Sequence, residues 1–344
     1  MLRSTSILLT LPFFAGPDAV PRLEHKQGAV IQRTFRVSSH RAIESGTLSL
    51  MGNDQDLGSG SERRSISVLE VVDTIEKVAS GRATAFVRAY NGVATQAAID
   101  GIEASEGLTV RAGEGASELQ GAAVAFRWDA EGEAWQRAFA EDSAGDEEWL
   151  AGLRADLDLA DLIPADAKPE VGDTWTLDAA FLSALLEPGG EVQIRPEDGG
   201  PDMPEGGIAI RIPSPDPSKH WAEAVGEISA TYAEVVGEGP RLARIVVKVD
   251  VTSEVDLRET LAAEAEERGT PETYSEATAT RELAGELTVL WDLDAHRLHS
   301  LEGELAGPTE LSVSWAIDAG GMELEVTYAE SATQTFTLEA SAQE

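Results

Sequence analysis

A chain of 344 residues can bury a substantial core, as two domains or as one large β domain, and 42% hydrophobic with 26% charged residues excludes wholesale disorder. Its 62 acidic residues against 26 basic ones leave a net charge of −36, a surface that repels phosphate backbones and anionic headgroups, so nucleic-acid binding and electrostatic membrane docking are set aside. With no cysteine there is no disulfide, thiolate metal site, cysteine nucleophile or lipidated N-terminal cysteine.

The first twenty residues, "MLRSTSILLTLPFFAGPDAV", place Arg3 before an apolar run from Ile7 to Gly16, with small residues at Ala15, Gly16 and Ala19. That pattern predicts a secretory signal over 1–20, and the run is shorter than the roughly 20 apolar residues of a membrane span. No later stretch reaches spanning length, so a soluble exported protein without a transmembrane segment is expected, periplasmic or extracellular. Residues 52–64, rich in Gly, Ser and Asp, read as a loop. Read from Asp54, they fail the calcium-loop template, with Gly58, Ser59 and Ser65 at the fifth, sixth and twelfth positions.

Residues 146–163 space Trp149, Leu150, Leu153, Leu157 and Leu162 near the helical period, with Asp146 as N-cap and Pro164 as stop. A shorter helix is predicted over 178–187, ended by Pro188-Gly189-Gly190. Pro-rich, acidic segments at 195–207 and 213–219 mark a linker over 191–219, dividing a β-rich first half (21–190) from a β-rich second half (220–344). In "IVVKVDVTSEVDL" (245–257), Ile245, Val247, Val249, Val251, Val255 and Leu257 share one parity and polar residues hold most of the other. This is a long strand with one buried face. Residues 257–268 continue it into a loop or short helix. Leu311 to Ile317 and Met322 to Tyr328 alternate on either side of "DAGG", predicting a hairpin that Phe336 and Leu338 extend.

"ELQGAAVAFRWD" (118–129) is echoed by "ELAGELTVLWD" (282–292), and "GRATAFVRAYNGV" (81–93) by "GPRLARIVVKVDV" (239–251), in the same order and at similar spacing. The fold class expected is therefore mainly β: two related, long-stranded, curved antiparallel sheet units with a few short helices between them.

The sequence nominates no catalytic, cofactor-binding or metal-binding residue and no cofactor. Of five histidines only His296 and His299 are close, and they lie in a strand-turn-strand pattern where residues three apart point to opposite faces. Carboxylates are too frequent for any pair to stand out, and the nucleophile-elbow, phosphate-loop, dinucleotide and HExxH motifs are absent. Among seven tryptophans, Trp128 and Trp291 end strands at matching points of the echo, as core lids more than as sugar platforms.

"KPEVGDTWTLD" (168–178), followed by a short helix and "LLEPGGEV", together with "GELTVLWDLDAHRL" (285–298), resembles a family of exported, β-rich bacterial proteins with no assigned activity. The resemblance implies a β-rich envelope protein and no site residues. The function expected is a soluble, non-enzymatic binding or structural module of the cell envelope, its concave sheet holding an apolar ligand or a protein partner. The alternatives are a carboxylate-based hydrolase without a motif and a calcium-dependent adhesion module.

Overall fold

The alternation seen over thirteen residues of sequence runs through almost the whole chain. The computed structural model describes residues 20–57, 60–100, 113–164, 168–192, 195–196, 221, 223–237, 239–267, 272–318 and 323–344. The strands are β1 (Val30–Leu50), β2 (Asn53–Asp56), β3 (Glu62–Ala79), β4 (Arg82–Asp100), β5 (Gly113–Ala116), β6 (Ala123–Asp129), β7 (Ala134–Phe139), β8 (Thr174–Thr176), β9 (Arg195–Pro196), β10 (Val225–Val236), β11 (Leu242–Asp256), β12 (Glu272–Asp292), β13 (Arg297–Asp318) and β14 (Glu323–Gln343). Two α-helices accompany them among the described residues, α1 (Ala180–Leu186) and α2 (Arg258–Glu267).

The described strands form one antiparallel sheet, ordered β7-β6-β4-β3-β1-β14-β13-β12-β11-β10-β8, with β2, β5 and β9 attached at its margins. Two separate sheet units are therefore not what the structure shows. The first and last long strands join the halves: β1 pairs β14 from Gln32↔Gln343 to Leu50↔Val326. Within the sheet the halves keep a likeness of connection. β3, β4, β6 and β7 are consecutive neighbours, and so are β10, β11, β12 and β13.

The sheet curls. Phe126 of β6 and Ile228 and Tyr232 of β10 belong to one continuous buried cluster although they lie near opposite ends of the strand order. At about 4.8 Å per strand a flat sheet of this width would hold them tens of ångströms apart. Glycines permit the bend. Gly285 (φ 157) and Gly303 (φ 156) fall at inward positions of β12 and β13, where a Cβ would lie 2.2 Å from the Glu304 carbonyl and 2.5 Å from that of Glu286. A side chain at either site would force the two backbones apart.

Side chains alternate apolar-in and polar-out. On β14, Leu324, Val326, Tyr328, Phe336 and Leu338 are buried, while Glu325, Thr327, Thr337, Glu339 and Ser341 are exposed. The inner apolar wall forms two clusters at the two ends of the long strands. The larger is filled by an insert between β7 and β10, which buries Leu153, Leu157, Leu162, Phe181, Leu182 and Leu186. The smaller holds Leu311, Val313, Trp315 and Val326 and is covered by Leu257 and by Leu261 of α2.

The insert departs from the helix predicted over 146–163. Asp146 does cap a turn, accepting from the Glu148 amide at 3.0 Å, but a 3₁₀ turn ends at Leu150 and another spans only Ala160–Leu162. Between them the backbone carbonyls of Arg154 and Ala155 accept from the Arg88 guanidinium at 2.7 and 2.8 Å, so they are committed outside any helix. The loop predicted over 52–64 contains strand residues at both ends, in β2 and β3. All but the last residue of the signal predicted over 1–20, the Pro-rich segments beyond β9, and residues 319–322, which take in most of the predicted "DAGG" turn, lie outside the described residues. Stretch 178–187 forms α1, and 257–268 resolves into α2 directly after β11.

Candidate functional site

Polar side chains inside a curled sheet need partners, because an unmet buried polar group costs about 1–3 kcal/mol. Two such assemblies interrupt the apolar wall. The first binds the insert to the sheet. Arg33 of β1 donates to Asp73 of β3 at 2.6 Å and to both oxygens of Asp158 in the insert at 2.6 and 2.7 Å. Arg88 of β4 donates to both oxygens of Asp73 at 2.8 and 2.9 Å and stands 5.2 and 5.0 Å from the centres of Phe86 and Phe126. His25 closes the set. Its Nδ1 accepts from the Ala83 amide at 3.1 Å, which assigns the proton to Nε2, and Nε2 lies 2.8 Å from Asp158.

Burial alone would raise the Asp158 pKa, but Arg33 and His25 hold it well below the usual carboxylate range. Burial would likewise lower that of Arg33, and Asp158 and Asp73 raise it instead. Two arginines answer two aspartates here, and both arginines use their forks on carboxylates or carbonyls. This assembly is a tether.

His25 belongs to a strap, residues 22–28, that crosses the turn end of the sheet. The strap amides of Glu24, His25 and Gly28 donate to the carbonyls of His296, Gly81 and Ile75, and the Trp291 indole donates to the Arg22 carbonyl at 3.0 Å. The hairpin read from "ELTVLWDLDAHRLHSLEGEL" is present, its turn built on Asp292, which accepts from the amides of Asp294 and Ala295 at 2.8 Å each. The structure gives its two histidines separate surroundings. His296 packs against the strap near Arg22 and Glu24, and His299 is half-buried in β13.

The second assembly is a belt across the middle of the inner face, between the two apolar clusters. Register aligns it: Arg63 of β3 faces Arg41 of β1, Arg41 faces Gln334 of β14, Thr309 of β13 faces Ala332, and Arg281 of β12 lies between Thr309 and Ser253 of β11. Glu330 sits one inward position from Ala332 and is 4% exposed. Arg41 Nη2 is 2.7 Å from Glu330 Oε1, Arg63 Nη2 is 3.8 Å from its Oε2, and the Tyr328 hydroxyl donates to Oε2. Gln334 Nε2 donates to Ser39 Oγ at 2.7 Å.

Both assemblies leave buried polar atoms over, the tether at Arg33 Nε and the belt at more than one residue. Arg41 Nε, Glu330 Oε1 and Gln334 Oε1 are buried without an aligned hydrogen-bond partner among the described residues. Turning the Gln334 amide over would exchange which of its two polar atoms is left over, not remove the deficit. Burial lowers the Arg41 pKa, Glu330 opposes that, and Arg63 adds to it. Burial and then Glu330 push the Tyr328 pKa up, so its hydroxyl stays a donor. Arg63, with its side chain 19% exposed, is the side of the belt open to solvent.

The apolar concavity expected to hold a ligand is occupied by the protein itself. A cavity under the insert, lined by Phe35, Val37, Leu159, Leu185, Leu301 and Leu338 among others, has a volume of about 10 Å³, room for no more than a water molecule. No residue of the belt or the tether was nominated from sequence. A signal existed: in β14 the inward parity that carries Leu324, Val326 and Phe336 also carries Glu330 and Gln334. Polar residues at positions the alternation reserves for the core mark a site.

No protein-family model and no curated protein matches the chain. Two solved structures show similarity: an outer membrane channel from Pseudomonas putida F1 (9% identity, 96% of this chain and 99% of that one, TM-score 0.23) and the outer membrane protein OprG from Pseudomonas aeruginosa (7% identity, 94% and 99%, TM-score 0.19). At these TM-scores neither assigns a fold or a role. The expectation of a soluble, non-enzymatic module with no transmembrane segment is corrected all the same, because its ground does not hold. It leaned on the lack of a long apolar stretch, and a membrane can also be crossed by the short strands of a β-barrel. No helix among the described residues is long and apolar enough to cross a membrane, which has no bearing on strands, so solubility is not assigned. Membrane barrels turn apolar side chains toward lipid, whereas the strands here turn theirs inward.

Proposed function

We propose that the chain is a cell-envelope protein that takes up and carries a small polar solute, held inside the curled sheet at the belt. One observation carries this reading: Arg41, Glu330 and Gln334 gather at mid-sheet, with Arg41 Nε and Gln334 Oε1 left without a hydrogen-bond partner, while the apolar wall on both sides is filled. Such a deficit is costly in a folded interior and is relieved by a molecule that brings the missing donors and acceptors. The envelope location is supported by the apolar run from Ile7 to Gly16 behind Arg3. The matching meanders β3-β4-β6-β7 and β10-β11-β12-β13 support descent of the halves from one unit. Kinship with exported β-rich bacterial proteins, carried by "KPEVGDTWTLD", belongs to the same proposal; its Thr174–Thr176 form β8 at one margin of the sheet.

Native mass spectrometry of protein purified from its own envelope tests the reading. A retained small-molecule mass is expected in the parent and is expected to be absent in Arg41→Gln. A clean mass in both, with no binding across a panel of polar solutes, overturns it.

A further inference from the structure

The strap joins the two halves of the sheet at one end. Its amides bond both the turn between β3 and β4, at Gly81, and the turn between β12 and β13, at His296. In the strand order β1 and β14 lie between those two hairpins. We propose that residues 22–28 are an acid-released latch: the strap is docked while the rings of His25 and His296 are neutral, and it lets go when they take up protons.

Each ring accepts a hydrogen bond from a group that can only donate. The Ala83 amide donates to His25 Nδ1 at 3.1 Å, and the Arg22 guanidinium donates to His296 Nε2 at 3.2 Å. Both contacts need a bare ring nitrogen, and a charged imidazole has none. Protonation therefore sets N–H against N–H at both anchors of the strap. At His296 nothing replaces the lost bond. Its Nδ1 is buried without a partner among the described residues, and the Glu24 carboxylate stands 4.0 Å from Nε2, paired with Arg22 at 3.0 Å.

The surrounding charges act in the same sense. Asp158 of the insert attracts a charged His25, but it is shared with Arg33, and Arg33 and Arg88 already balance Asp73 and Asp158 one for one. A proton on His25 adds a fifth charge without a counterpart, at a ring only 9% exposed. Around His296, Glu24 and Asp294 favour a charged ring, while Arg22 and Lys26 oppose it; Asp294 is also engaged by Arg241 at 2.6 Å. Burial, and then Arg22, hold the His296 pKa below its ordinary value. The His296 contribution to docking is thus complete above the ordinary histidine value of about 6.5 and is lost as pH falls below it, because the released ring binds a proton that the docked one resists. Release takes the Arg22 carbonyl away from the Trp291 indole and lifts Leu23 from the larger apolar cluster.

Hydrogen exchange of the intact chain, read by mass spectrometry from about pH 7.5 to about pH 4 and corrected for intrinsic rates, tests the latch. Protection of the peptide that holds Glu24, His25 and Gly28 should fall about tenfold or more by about pH 5, while β12 and β13 stay protected. The double variant His25→Gln/His296→Gln, whose new side chains take up no proton in this range, should keep its strap protected throughout. Unchanged protection in the parent, or a loss shared by β12 and β13, overturns the latch. So does a double variant that docks its strap and still releases it in acid. Where the double variant fails to dock even at the upper pH, the parent's midpoint decides: above about 5 it belongs to the histidines and supports the latch, and below that it belongs to carboxylates and overturns it.

Discussion

Asp158 joins three parts of the chain that lie far apart in sequence: the strap through His25, β1 through Arg33, and the insert to which it belongs. Removing one member of a buried charge set leaves the others unpaired, so Asp158→Asn should lower unfolding stability by roughly 3–5 kcal/mol in urea titrations at neutral pH. The sign of the pH dependence follows from its depressed pKa. The Asp158 contribution is complete above the ordinary carboxylate value of about 3.9 and is lost as pH falls below it, because the unfolded carboxyl then binds a proton that the folded one resists. The gap between parent and Asp158→Asn should therefore narrow as pH is lowered through about 4; a gap that widens would contradict the assignment. None of this was legible in the sequence, where Asp158 is one acidic residue among 62 and His25 has no near neighbour to recommend it. Ion-pair geometry comes from strand register and the path of the insert, and neither is encoded in local spacing.

At the scale of elements the insert behaves as part of the core. Leu182 is fully buried, and Leu153 and Leu162 with it. Burying side chains of this size stabilises by about 1.5–3 kcal/mol each, so the insert as a whole is held far too firmly to serve as a door. Leu182→Ala should cost about 2–5 kcal/mol by calorimetry or denaturant titration, as a cavity does in a packed interior. A loss below about 0.5 kcal/mol would mean that the insert rests loosely on the sheet. The strands were the legible elements, because period-two alternation survives even where glycine bends the sheet, as at Gly285 and Gly303. β11 was read almost whole, and α1 nearly to its ends. The 146–163 segment was misread because its leucines do recur at helical spacing; they reach the core from an irregular backbone whose carbonyls Arg88 has taken. The belt was visible in principle as wrong-parity polar residues, yet only the register gathers such residues from β3, β1, β14, β13, β12 and β11 into one place.

For the molecule as a whole the dominant fact is charge. A net −36 spread over the surface repels itself in the compact state more than in the expanded one. The melting temperature should therefore climb as sodium chloride is raised from about 0.01 to 0.5 M, over which the screening length shrinks from about 30 Å to only a few ångströms. A flat or falling curve would show that the carboxylates are already compensated locally. Composition made this legible, as period-two alternation made a β-rich protein legible. The joining of both halves into one curled sheet was not, because the strands that join them are the first and the last long ones.

That junction has a consequence for how the chain comes into being. β1 is flanked by β3 on one side and by β14 on the other, so the middle of the sheet lacks one of its strands until residues 323–343 have been made. During synthesis a growing chain would carry β1 with one long edge open from its earliest moments to its last. Folding must then wait on a contact between the two extremes of the polypeptide, which makes it slow by topology and leaves the nascent protein reliant on something to shield that edge meanwhile.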